Sequence, residues 1–101
     1  MDTHAVWATM EAKAGKEDEV RAFLVEAGRR IRTEPGTTTF YALDLGEGRF
    51  AVFNSFVDEA ALAGHVGGEV ARWASEEGAR LCTGPFDVAR TQVIASKTPN
   101  D

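Results

Sequence analysis

The chain has 101 residues, 44% of them hydrophobic and 27% charged, with a formal net charge of −5, which is the profile of one folded globular domain rather than of a disordered chain. The acidic balance disfavours nucleic acid and anionic lipid as partners, and no apolar run approaches the roughly 20 residues that cross a bilayer. The start, "MDTHAVWATMEAK", lacks the basic segment of a signal peptide, and the single cysteine, Cys82, cannot form an internal disulfide or a thiolate cluster, so a cytoplasmic protein is expected.

Residues 4–12, "HAVWATMEA", alternate, with Val6, Ala8 and Met10 on one side and Ala5, Trp7 and Thr9 on the other; the period predicts a strand. After Gly15, the residues Val20, Phe23, Leu24, Ala27 and Ile31 fall at helical spacing. Glu17, Asp18 and Glu19 crowd the first turn of that helix and Arg29, Arg30 and Arg32 its end, which matches the helix dipole. Pro35-Gly36 stops it. "TTTFYALDL" (37–45) and "RFAVFNSFV" (49–57) are rich in β-branched and aromatic residues and are separated by "GEG", a hairpin signature. Asp58 is a good cap for a second helix, which Gly67-Gly68 should kink or restart and which Gly84-Pro85 ends. A last strand is read over 86–96, "FDVARTQVIAS", and the tail "KTPND" should fray.

The order is β-α-β-β-α-β, which predicts an α+β, ferredoxin-like domain with a four-stranded antiparallel sheet and its helices on one face. The whole chain, 1–101, reads as one domain with a core over about 4–97 and a tail at 98–101. The second sheet face would ordinarily be polar, yet the third strand sets Phe50, Val52 and Phe56 against Ala51, Phe53 and Val57, and the second sets Phe40 and Ala42 against Tyr41, Leu43 and Leu45. An uncovered face of that kind exceeds the apolar patch a monomer usually shows, so a homodimer packed sheet to sheet is expected. Asn54 interrupts the apolar side of the third strand; it must either find a structural hydrogen bond or look into a pocket.

The element order, "EAKAGKEDEVRAFLVEAGRRIRTEPGTTTFYAL", "FAVFNSFVDEAALAGH" and the last strand resemble the antibiotic biosynthesis monooxygenase (ABM) family over roughly residues 4–97. The resemblance implies a dimeric α+β barrel that oxidises a small aromatic substrate, a quinol, phenol or polyketide-like compound, with O2 and without metal, flavin or other cofactor. Such a substrate supplies its own electrons once deprotonated. Two alternatives remain: a non-catalytic protein that holds a small ligand or serves a stress-related role, and a heme-binding or heme-degrading relative. Against the last, heme-degrading relatives carry an asparagine on the first strand, and "HAVWATMEA" has none.

His65 stands where the family's helix histidine falls, seven residues after Asp58 and so on about the same helix side, with Ala61, Leu62 and Glu69 as neighbours. An imidazole there is the candidate base or donor, with Asn54 as its polar partner. Trp73, Tyr41 and Phe56 are candidate substrate walls, although Trp73 shares a stripe with Val66 and Val70 and also suits core packing. Arg90, between Val88 and Gln92, is a candidate for steadying a substrate anion or for pairing with a carboxylate such as Asp44 at the dimer edge, the pair being the favoured reading. His4 reads as solvated and Cys82 as a small packing residue.

Overall fold

The computed structural model describes residues 1–99. Its elements are β1 (His4–Glu11), α1 (Glu17–Ile31), β2 (Thr37–Gly46), β3 (Arg49–Phe56), α2 (Glu59–Val66), α3 (Glu69–Leu81) and β4 (Asp87–Gln92). The strands form one antiparallel sheet in the order β2-β3-β1-β4, a ferredoxin-like α+β fold. No helix among the described residues is long and apolar enough to cross a membrane.

Local chemistry accounts for the boundaries. Gly46, Glu47 and Gly48 have φ of 86°, 56° and 77°, a left-handed run that glycine tolerates and that turns β2 into β3. The Asp58 carboxylate accepts the Ala61 backbone N–H at 2.8 Å and opens α2. The expected interruption at Gly67-Gly68 is a full restart: α2 ends at Val66 and α3 begins at Glu69. The last strand is shorter than 86–96, because its partner β1 begins at His4, opposite Gln92, and the pairing finishes with Val93 N–H donating to the Thr3 carbonyl. The fraying tail read at 97–101 lies partly outside the described residues.

The residues buried on α1 are Val20, Phe23, Leu24, Ala27 and Ile31, the stripe expected from spacing. Val20, Phe23 and Leu24 join Met10, Phe50, Leu81 and Cys82 in the larger core cluster, while Val6, Phe56 and Leu62 form a smaller one beneath α2. Two backbone bonds, Lys13 N–H to the Leu81 carbonyl and Thr83 N–H to the Glu11 carbonyl, tie the end of α3 to the end of β1.

Register assigns the two faces. Residues paired directly across antiparallel strands share a side, so Val6, Asn54 and Phe40 stand in one row, and Ala8, Val52 and Ala42 in the next, on the side that the helices cover. Trp7, Phe53 and Tyr41 make a row on the opposite side. That row is open: Tyr41 is 59% exposed and Trp7 38%, with Leu43 beside them at 40%.

Candidate functional site

Between the covered side of the sheet and the three helices lies a cavity of about 650 Å³. Its walls are mainly apolar and include Val6, Ala8, Val52, Phe40, Val70 and Phe86. Asn54 and His65 both line it, and Lys13 contributes a cation. A larger depression of about 820 Å³ runs along the outside, between α1 and the free edge of β2. Two of its three arginines are already occupied, Arg21 by Asp44 and Arg29 by Glu26, so it is a surface groove without converging free polar groups.

Asn54 reaches the cavity because it sits mid-sheet on the covered side. The residue is only 3% exposed. No hydrogen bond among the described residues uses its side chain, yet none of their fully buried side-chain nitrogens or oxygens lacks a partner. Its amide therefore borders open space, and the space beside it is the cavity. An amide left in this way costs about 1–3 kcal/mol unless water or a ligand meets it.

His65 comes from α2, with its ring 5.2 Å from that of Phe56 at 41°. Its Nδ1 lies 2.5 Å from Glu34 Oε1, and the two side chains are only 15% and 18% exposed. Thr37 donates its hydroxyl to the same oxygen at 2.5 Å. The carboxylate is delivered by the turn after α1: Glu34 N–H bonds the Ile31 carbonyl and Thr37 N–H the Glu34 carbonyl. Gly36 lets this turn lie on α2, since a Cβ there would meet the Ala61 Cβ at 3.3 Å. Nothing in the spacing of the chain announces the Glu34–His65 pair. The one available signal is an acid just beyond the C-terminus of α1, where the helix dipole disfavours negative charge and a partner is needed.

The other candidates lie elsewhere. Phe56 is fully buried beneath His65 in the small core cluster and does not line the cavity. Trp73 packs on Phe23, with ring centroids 5.2 Å apart, under the Arg30 guanidinium at 3.9 Å. Tyr41 belongs to the open face of the sheet. Arg90 is exposed on β4, one edge of the sheet, whereas Asp44 is on β2, the other edge. Within the chain Asp44 binds Arg21, and a pair between Arg90 and Asp44 would have to form between two copies. The Gly46 backbone N–H, and then Arg21, hold the Asp44 carboxyl below its usual range. Cys82 is a buried cavity neighbour whose thiol is pushed up by burial, against a smaller opposing effect of Lys13. Among the described residues no three His, Cys, Asp or Glu side chains converge as a metal-binding group.

The fold is a two-layer α+β domain with an apolar cavity under its helices, lined by one amide and one imidazole. The chain belongs to the antibiotic biosynthesis monooxygenase family, which it matches over residues 3–77. Among solved structures, a protein of unknown function from Nitrosomonas europaea is 33% identical, with a TM-score of 0.92 and coverage of 98% of this chain and 96% of that one. A protein from Mycobacterium tuberculosis is similar at 20% identity and a TM-score of 0.83, covering 95% and 99%. A candidate antibiotic biosynthesis monooxygenase from Deinococcus radiodurans is similar at 18% identity and a TM-score of 0.81, covering 94% and 96%; these last two likenesses bear on the fold alone. No match is found among curated proteins.

Proposed function

We propose that the chain is a cofactor-independent oxygenase that oxidises a small electron-rich aromatic, a quinol or phenol, with O2. The observation that supports this reading is the amide of Asn54, almost fully buried without a protein partner and lining the same apolar cavity as His65. Family membership supports the reaction class. The apolar walls hold the ring and exclude water, which strengthens every polar contact inside. The substrate hydroxyl gives its proton to His65, and the Asn54 amide N–H donates to the oxyanion left behind. Where the substrate is the hydroxyl tautomer of an anthrone, the ring CH conjugated with that oxyanion supplies, together with the oxyanion, four electrons to O2. One oxygen atom becomes the new C=O, and the other leaves as water with the hydrogen of that carbon and the proton returned by His65.

The working unit is a homodimer. The open row of Trp7, Phe53 and Tyr41, with Leu43 beside it, is apolar and large enough to need a cover, and a second copy offers a matching surface.

Oxygen uptake with reduced quinols and anthrones tests the function. Uptake by the wild type that collapses in Asn54→Ala is the expected result. Tight binding of such compounds with no uptake from any of them would replace the catalytic reading by one of ligand storage.

A further inference from the structure

We propose that Glu34 is the positioning residue for His65: it holds the proton on Nδ1 and so presents Nε2 as the base that meets a hydroxyl-bearing aromatic in the cavity. The inference rests on the oxygenase reading for its chemical purpose, while the geometry behind it is independent of any substrate.

Glu34 Oε1 receives the Thr37 hydroxyl at 2.5 Å. An ionised carboxylate has no hydrogen to give and can only accept, so with Glu34 as the carboxylate the hydrogen in the 2.5 Å contact belongs to Nδ1. A ring nitrogen's protonation is set by the bond made at the other nitrogen; with Nδ1 donating, the neutral ring carries its lone pair on Nε2. Nε2 has no hydrogen-bond partner among the described residues, and since none of their fully buried side-chain nitrogens lacks one, it keeps some open surface; the proposal sets that surface toward the cavity that His65 lines. The exposures of 15% and 18% keep water from competing strongly for the pair.

The proton inventory closes. The substrate O–H bond breaks and an Nε2–H bond forms. The substrate keeps the electron pair as an oxyanion, and the ring becomes an imidazolium whose charge lies against the Glu34 carboxylate. Without that carboxylate the ring is free to protonate Nε2 instead, and in that tautomer it can donate but cannot accept. The turn is built to prevent this. Thr37 fixes one oxygen of Glu34, and Gly36 permits the close approach to Ala61, which sits one helical turn before His65 on α2.

The experiment is nitrogen NMR of ¹⁵N-histidine-labelled protein at alkaline pH, without substrate, comparing wild type, Glu34→Gln and Thr37→Val. The wild type should show His65 protonated at Nδ1 with an unprotonated Nε2. Glu34→Gln should shift the ring toward the Nε2-protonated form, and Thr37→Val should do so in part. A wild-type ring protonated at Nε2, or a tautomer unchanged in Glu34→Gln, overturns the proposal. Should Glu34→Gln not fold, Thr37→Val and the wild-type tautomer still decide it. With an active quinol, Glu34→Gln should lower kcat by about 10²-fold or more at a KM changed little, as follows when a carboxylate that fixes an imidazole tautomer is neutralised. If no donor is oxidised by any form, the oxygenase reading fails, while the tautomer result still decides the role of Glu34.

Discussion

Two helical glycines should respond to alanine with opposite signs. Gly64, in α2, has open space where a Cβ would go, with nothing within 4 Å. Alanine there gains helix propensity and restricts the unfolded chain, a stabilisation of up to about 1 kcal/mol. Gly78 is buried in α3, and a Cβ on it would lie 2.3 Å from Phe86 Cζ, 2.6 Å from Cε1 and 3.3 Å from Cε2. Three atoms of one rigid ring are involved, so the whole phenyl group must retreat by about 1 Å to restore ordinary contact. That movement disturbs its packing on Phe23, whose ring centroid lies 6.3 Å away. Overpacking costs about 1–3 kcal/mol; less the propensity gain of about 1 kcal/mol, the net is a loss of about 1 kcal/mol. For a domain of this size 1 kcal/mol corresponds to about 5 °C in Tm, so the two variants should melt roughly 10 °C apart at equal protein concentration. Differential scanning calorimetry gives the answer. Equal gains in both variants would show that Phe86 yields freely and that α3 is not closely packed against it. Because Phe86 also lines the cavity, Gly78→Ala should weaken ligand binding as well.

The remaining expectations can be checked separately. His65→Ala should reduce oxygen uptake by about 10²–10⁴-fold, the usual worth of a positioned acid–base group; unchanged rates would remove the histidine from the chemistry. Phe53→Asp places a charge in the row between Trp7 and Tyr41 and should yield a monomer in sedimentation, whereas a persistent dimer would rule out sheet-to-sheet packing. Glu26 is held at about 2 by hydrogen bonds from Arg29 and then Arg30, below its usual value near 4.5. A depressed carboxyl stabilises the fold above its unfolded pKa and loses that effect as pH falls toward the folded value. Urea midpoints of wild type and Glu26→Gln should therefore differ at about pH 7 and converge near pH 2; a gap that persists at acid pH would mean that Glu26 acts through packing.

Much of the fold was legible because the signals were periodic. The α1 stripe, the "GEG" turn and the Asp58 cap each depend on neighbours within a few residues, and each appears where expected. The faces of Tyr41 and Trp7 were not legible, since both sides of their strands are apolar and only the register, Tyr41 to Phe53 to Trp7, assigns them. Asn54 and His65 could be singled out as polar residues in apolar surroundings. Glu34 could not be joined to His65: the two are separated by 31 positions, and their meeting depends on a glycine against an alanine on another helix. The same limit explains Asp44. Its nearest cation, Arg21, comes from α1 above the sheet, a neighbour that no reading along the strands supplies.

On the proposed function, the cavity also makes the melting temperature of this chain a detector of its ligand. A compound that fills it binds the folded chain and not the unfolded one, so mass action adds about 2.7 kcal/mol at a hundredfold excess over Kd. In a domain this small that is roughly a 10–20 °C rise in melting temperature. Because the effect scales with occupancy rather than turnover, melting curves against a panel of flat aromatics would rank candidates before any reaction is known.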